Sequence, residues 1–280
     1  MKKIVPIKNL KKYAIDKTIK VSEKSIEKSS KISTFLVDTA NVFLFLTRVF
    51  KNTFSRGFEF KEFLKHCFQI GNKSFALISI TGTIIGLVLT IQSRPILIKF
   101  GALNMLPNMV AISLIREMGP VITALICAGK IGSSMGAELG SMRVTEQIDA
   151  LEVSSANPIK YLIVPRVLAA TFMIPLLSIF AIAMGILGGW IGANIKGDLN
   201  FVLYISQAFG KVEFMDLIPA VTKTFFFGAV IGLVGCYKGY NAGRGTESVG
   251  IAANTAVVTA SFLVILVDLI AVQITDLILQ

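Results

Sequence analysis

Three of the charged residues inside long apolar stretches of the sequence are its first candidates for chemistry. Arg116 and Glu117 interrupt the stretch 107–137, and Lys223 lies near the start of the stretch 217–237. A charge at membrane depth is costly, so it usually faces a cavity or an oppositely charged partner. The pattern is equally compatible with a functional role, such as an ion or proton path, and with a buried structural ion pair.

A second group of charged residues lies in a polar segment between two apolar stretches. The segment 142–153, MRVTEQIDALEV, has Glu146, Asp149 and Glu152 at helical spacing, so the three acids share one side of a short helix. A short amphipathic helix between membrane spans is a natural docking element for a partner protein. The residue pattern fits a solvated loop helix equally well.

Sequence motifs for nucleotide or zinc binding are missing. The sequence has no GxxxxGK(S/T) nucleotide loop and no HExxH zinc motif. His66 is the only histidine, and Cys67, Cys127 and Cys236 are far apart without metal-ligand spacing. We therefore expect no catalysis by this chain alone, no metal site, no cofactor and no disulfide framework.

The composition indicates an integral membrane protein. Apolar residues make up 54% of the chain, charged residues only 16%, and the mean hydropathy is +0.72. Soluble domains average roughly 45–50% apolar and about 25% charged residues. The net charge of +11 is concentrated near the N-terminus, because residues 1–73 hold 16 of the 28 basic and 6 of the 17 acidic residues. A basic segment beside membrane spans is typical of a lipid-facing cytoplasmic arm, and the apolar bulk argues against nucleic-acid binding.

Five apolar stretches are long enough to cross a bilayer as helices. The first, 74–93, has 20 residues without a charge, and at about 1.5 Å per residue it spans the roughly 30 Å of a hydrocarbon core. The others are 107–137, 167–195 with a kink expected at Pro175, 217–237, and a stretch from 248 nearly to 280. We therefore predict an all-α integral membrane protein with five transmembrane helices.

The residues before the first span divide into two parts. Residues 1–34 are rich in lysine and serine and predict a basic flexible tail without a cleavable signal peptide. Residues 35–73 hold two amphipathic stretches, 35–54 and 58–70, which we interpret as helices in the membrane interface. Packing on a soluble neighbour is the alternative. The membrane domain then occupies 74–280, and the basic N-terminus predicts that it lies in the cytoplasm.

Small residues recur at helical spacing within the spans. Gly82 and Gly86, four residues apart, are one example, and such spacing lets helix backbones approach closely in lipid, within one subunit or at a dimer seam. The dipeptide Gly119-Pro120 directly follows Glu117, so we also expect a local irregularity in the second span.

Two long motifs carry a family resemblance. Residues 114–169 read LIREMGPVITALICAGKIGSSMGAELGSMRVTEQIDALEVSSANPIKYLIVPRVLA, and residues 235–261 read GCYKGYNAGRGTESVGIAANTAVVTAS. They resemble the permease family of lipid-transporting ABC systems that work with MCE-domain proteins, the MlaE/YrbE type with its chloroplast relatives. The family patterns are approximately RELGP, AGR.GS, EQ.DAL and P..YL..PR in the first motif and GCY.G in the second. Lys130 replaces the more common arginine, and the resemblance covers residues from about 58 to 280.

The resemblance implies a helical permease with an N-terminal interfacial helix and five spans, with a cytoplasmic coupling helix between the second and third. It implies a homodimer docked on two copies of a separate ABC ATPase subunit, with segment 142–154 in a groove of that ATPase. The residues expected to carry this coupling are Glu138, Met142, Arg143, Glu146, Gln147, Asp149 and Leu151.

The resemblance also implies a substrate and further partners. Phospholipid, or another lipid in some lineages, would pass between the permease and an MCE-domain substrate-binding protein, and a small STAS-type subunit is an additional candidate partner. We expect a lipid cavity at the dimer axis, lined by Thr83, Leu87, Gln92, Val257, Val258 and Ser261. The expected location is a bacterial inner membrane, with the plastid inner envelope as the alternative.

Two other functions stay open on the residues alone. An ATP-independent channel or secondary carrier would use Arg116, Glu117 and Lys223 as an ion or proton path. A structural scaffold would assemble a complex without moving lipid. Transport without a partner ATPase would identify the first, and assembly without lipid movement would identify the second.

Overall fold

The structure, a computed structural model, describes residues 40–55, 58–195 and 199–279. The chain divides into two compact units, Met1–Phe50 and Lys51–Gln280. The described residues of the first unit are helical and belong to α1, which is described from residue 40 and ends at residue 53. The predicted tail 1–34 and the start of the first predicted amphipathic stretch lie outside the described residues.

The rest of the chain is built from helices, and the described residues contain no strand. The helices are α2 (Phe60–Lys99), α3 (Leu106–Ser113), α4 (Gly119–Cys127), α5 (Ser133–Val144), α6 (Gln147–Val153), α7 (Val164–Asn194), α8 (Phe201–Phe209), α9 (Phe214–Tyr240) and α10 (Thr246–Leu279). A 3-10 turn and three π-helical segments complete them: Leu103–Met105, Leu114–Met118, Ala128–Gly132 and Ile159–Ile163.

Within the described residues, five helical runs are long and apolar enough to cross a membrane. They are Phe60–Lys99, Leu103–Val144, Ile159–Asn194, Phe214–Tyr240 and Thr246–Leu277. The all-helical fold with five spans is therefore confirmed, and the chain is a multi-pass membrane protein. The short helix α6 lies between the second and third spans, as predicted.

The first span is longer than the sequence indicated. The predicted short helix 58–70 and the span 74–93 are not separate, because α2 is continuous from Phe60 to Lys99. A single glycine inside a helix costs only about 1 kcal/mol, so Gly71 does not interrupt it. Pro95 also lies inside α2, and the helix ends just before Gly101, which has a left-handed φ of 66° that suits a residue without a Cβ.

The second span is irregular where the sequence predicted irregularity. The π-helical segment Leu114–Met118 carries Arg116 and Glu117 and ends next to Gly119. Pro120 cannot donate a backbone hydrogen bond, and its ring would clash with the carbonyl of Arg116 four residues earlier. The wider π turn relieves this clash, and such bulges occur frequently at functional sites.

The long helices pack side by side through glycine. α2 packs on α7, α7 on α9, and α9 on α10, while α5 lies against α9 and α10. A Cβ added at Gly86 would lie 1.7 Å from the carbonyl oxygen of Gly185, and one added at Gly188 would lie 2.0 Å from that of Thr83. The backbones of α2 and α7 are therefore in direct contact, as the small-residue spacing predicted.

Candidate functional site

Two of the three charged residues predicted inside the spans, Glu117 and Lys223, meet in one network. The Lys223 ammonium donates hydrogen bonds to Glu117 Oε2 and Asp268 Oδ1, both at 2.9 Å. Lys223 is only 5% exposed, so its charge depends on these two carboxylates for compensation. The network therefore connects the second span to α9 and α10.

Arg116 forms a second ion pair beside this network. Its Nε donates to Asp216 Oδ1 at 2.7 Å, and Asp216 is itself buried. The other carboxylate oxygen of Asp216 accepts from the backbone N–H of Glu213 at 3.1 Å, in a capping box at the start of α9. Asp216 is thus fixed by the helix end, whereas the Arg116 side chain remains half exposed.

A cavity of about 240 Å³ opens onto this cluster. Its charged lining consists of Arg116, Glu117, Asp216, Lys223 and Asp276. It offers both an accessible cation, Arg116, and accessible carboxylates, so it can accommodate a polar group that carries both signs of charge.

An apolar cavity of about 330 Å³ adjoins the charged one. It lies between α9 and α10, and its lining includes Ile218, Phe226, Ala271 and Ile274. Both cavities are lined by Met215, Pro219, Lys223 and Thr275. The two together form a site with one polar and one apolar compartment.

The site lies at the end of the bundle opposite α6. Asp216 and Lys223 belong to the first part of α9, whereas Tyr240 at the end of α9 donates a hydrogen bond to Glu152 Oε1 in α6 at 3.0 Å. Between Lys223 and Tyr240, α9 rises by roughly 25 Å, at about 1.5 Å per residue. We call the end of the bundle with Asp216 and Lys223 the α8 end, because α8 directly precedes α9. The opposite end, with Tyr240 and α6, is the α6 end.

The α6 end holds most of the residues that we expected to couple to an ATPase. Glu146, at the N-terminus of α6, has a left-handed φ of 59° and is exposed. Asp149 pairs with Arg143 across the turn. Ile148 is fully buried, so α6 is held to the bundle on one side and open on the other. Met142, Gln147 and Leu151 lie at the end of α5 and in α6, where they are exposed or half-buried.

Two details of that group differ from the sequence pattern. The three acids do not form one free acidic side, because Asp149 and Glu152 already have partners in Arg143 and Tyr240. Glu138 bonds to Arg166, whose Nη2 lies 2.8 Å from its Oε1. Arg166 is 3% exposed and needs this carboxylate as a counter-charge.

The six residues expected to line a lipid cavity are divided between two helices with different neighbours. Thr83 and Leu87 lie on the face of α2 that packs on α7, near Gly188 and Gly192. Gln92 is exposed on the same helix, and the other three lie on α10, where Val258 is 63% exposed and Val257 and Ser261 are half-buried. None of the six lines the two cavities described above. The lipid cavity expected at the dimer axis stays a prediction.

The sequence pattern missed the two aspartates that pair with these charges, Asp216 with Arg116 and Asp268 with Lys223. Asp216 directly precedes the apolar stretch 217–237, and Asp268 closes the uncharged run that follows Glu247. In the sequence, both therefore mark the ends of apolar stretches. In the structure α10 continues past Asp268 to Leu279, which puts this carboxylate inside the fifth span.

Comparison with known proteins agrees with the motifs. Residues 63–274 match the family model of the permease MlaE. A probable ABC transporter permease protein of Rickettsia prowazekii is 40% identical over 197 residues, which are 70% of this chain and 76% of the relative. The probable ABC transporter permease protein ycf63 of Pyropia yezoensis is 32% identical over 207 residues, 74% of this chain and 79% of the relative.

A third relative has a named substrate. The intermembrane phospholipid transport system permease protein MlaE of Haemophilus influenzae is 36% identical over 213 residues, 75% of this chain and 81% of the relative. The family model and the relatives each cover more than two thirds of the chain. The resemblance is thereby confirmed, and the chain belongs to the MlaE family of ABC transporter permeases.

Proposed function

We propose that this chain is the membrane subunit of a phospholipid transporter, which moves lipid between its membrane and an MCE-domain partner and is driven by a separate ATPase. The observation that carries the proposal is the pair of adjoining cavities at the α8 end. A polar cavity with charges of both signs suits a phospholipid headgroup, and an apolar cavity beside it suits the start of an acyl chain. An ion channel would not need the apolar compartment.

The headgroup would be held by the accessible charges of the polar cavity. Arg116 donates hydrogen bonds from a planar guanidinium and is suited to a phosphate. Glu117 and Asp276 are suited to an ammonium group. Lys223 would act as a positioning residue, because its buried charge holds Glu117 at the cavity wall.

The helix α6 is the proposed coupling helix to the ATPase. Its hydrogen bond to Tyr240 connects it to the far end of the helix that carries Lys223. Movement of α6 on closure of the ATPase would therefore be transmitted along α9 as a rigid element to the lipid site. We further propose that the chain acts as a homodimer whose α6 end lies in the cytoplasm or stroma. The homodimer would work with an MCE-domain partner, and a STAS-type subunit would be an optional component.

Reconstitution tests the function as a whole. Proteoliposomes that contain the chain, its co-purified ATPase and an acceptor MCE-domain protein are expected to transfer labelled phospholipid only when ATP is supplied. Transfer of ions or lipid by the chain alone, dependent on membrane potential and not on ATP, would establish the channel or carrier alternative. Assembly of the complex with no lipid transfer would favour the scaffold.

Charge reversal on α6 tests the coupling helix. We expect Glu146→Lys to weaken association with the ATPase by at least ~10-fold, because Glu146 is exposed on α6 and lies outside the ion pairs that hold the helix. Affinity is measured by titrating labelled ATPase onto the purified chain in detergent. Glu59→Lys, at another exposed glutamate, is the control and should bind like the unmodified chain. Equal affinities for both variants would overturn the assignment of α6.

A further inference from the structure

A third cavity lies at the α6 end, away from the site described above. It has a volume of about 110 Å³ and is formed between α2 and the second span. Its polar lining includes His66, Lys73, Ser74, Lys130 and Glu138. None of these residues lines the charged cavity at the α8 end, so the two are separate sites.

One buried hydroxyl in this cavity has no partner. Ser74 is 1% exposed, and its Oγ makes no hydrogen bond with any described residue. Other hydroxyls of α2, such as those of Ser79 and Thr83, each donate a hydrogen bond to the carbonyl four residues earlier. Buried polar groups almost always have a partner, so the Ser74 hydroxyl points to an occupant of the cavity.

The charges around the cavity select an anion. Within the described residues, neither Lys73 nor Lys130 forms an ion pair with a carboxylate, and the Lys130 ammonium donates instead to the backbone carbonyl of Lys73. The single carboxylate that faces the cavity from the second span, Glu138, is already bonded to the buried Arg166. His66 can donate a further hydrogen bond from its ring. The cavity is therefore cationic and supplied with donors.

The position of the cavity along α2 matches that of lipid phosphates. Lys73 directly precedes the 20 uncharged residues of the first span, so it stands at the boundary between hydrocarbon and headgroups. Leu77, one turn further on the same face of α2, is 45% exposed and gives an acyl chain an apolar surface. A cavity of about 110 Å³ has room for a phosphate group but not for a whole lipid.

We propose that this cavity binds a phosphate group, which at this depth belongs to a phospholipid of the leaflet at the α6 end. Lys73 and Lys130 would neutralise the phosphate, and Ser74 and His66 would donate hydrogen bonds to it. This inference rests on the proposed function, because it gives the transporter a second lipid site opposite the first.

Photo-labelling of the purified full-length chain in detergent tests this site directly. The probe is a phosphatidylethanolamine with a diazirine on its amine, and the control probe is a diacylglycerol with the same diazirine but no phosphate. We expect the phospholipid to label the peptides around Lys73 and Lys130, and the diacylglycerol not to. Lys73→Gln with Lys130→Gln should reduce this labelling by at least ~10-fold, whereas Lys99→Gln, at the other end of α2, should not.

Further measurements identify the source of the phosphate and distinguish a loss of binding from a folding defect. Millimolar inorganic phosphate at constant ionic strength is expected to leave the labelling unchanged; if it abolishes the labelling, the phosphate site stands with free phosphate as its occupant. Lys130→Arg should retain the labelling, since it keeps the charge. Equal labelling by both probes, or by the unmodified chain and the double glutamine variant, would overturn the proposal and leave a water-filled cavity. The assay needs neither ATP nor a partner, so it can fail while ATP-driven transfer succeeds, and the reverse.

Discussion

Lys223→Met is expected to destabilise the folded chain by about 3–5 kcal/mol, because it leaves Asp268 as an unpaired carboxylate inside the bundle. Glu117 contributes less to this cost, since its side chain is 43% exposed and the cavity can hydrate it. The double variant Lys223→Met with Asp268→Leu removes both buried charges and should recover most of the lost stability. Thermal unfolding in detergent measures both effects.

The same pair of variants decides between a structural and a functional role for the network. We expect the double variant to fold but to transfer less than about a tenth of the lipid in the reconstituted system, because Glu117 has lost the Lys223 ammonium that positions it. Recovery of transfer together with stability would mean that the network only holds the helices together. The sequence alone left these two roles equally open.

Gly86→Ala is expected to lower the stability by about 3 kcal/mol or more, and Gly86→Leu should prevent folding. The added methyl group would lie 1.7 Å from the Gly185 carbonyl oxygen, so α2 and α7 would have to separate along their whole interface. In a chain of this size, 3 kcal/mol corresponds to a melting temperature lower by roughly 6–12 °C. Detergent melting curves and the yield of monodisperse protein measure the effect.

Gly250→Ala is the matched control for this substitution. Gly250 also lies in a membrane-spanning helix, but a Cβ there meets no atom within 4 Å. Alanine should therefore be neutral or stabilising, by up to about 1 kcal/mol through helix propensity. Equal melting temperatures for Gly86→Ala and the unmodified chain would mean that α2 and α7 are not in backbone contact.

The sequence by itself determined the class of protein, the number of spans and the family. Length and charge content of an apolar run decide whether it crosses a bilayer, and both are local properties that need no tertiary contact. The motifs in 114–169 and 235–261 are equally local. For the same reason, the short helix α6 between the second and third spans and the irregularity at Pro120 were predictable.

Only the tertiary structure decided which charges meet. Lys223 is 106 residues from Glu117 and 45 from Asp268, and their pairing depends on how three helices are rotated about their axes. Hydrophobicity does not fix that rotation for helices as uniformly apolar as these. The same limit explains why the bond between Glu138 and Arg166 was not foreseen. It also explains why the two adjoining cavities beside α9 and α10 were not foreseen, since a cavity is a property of neighbouring surfaces that no single run of residues contains.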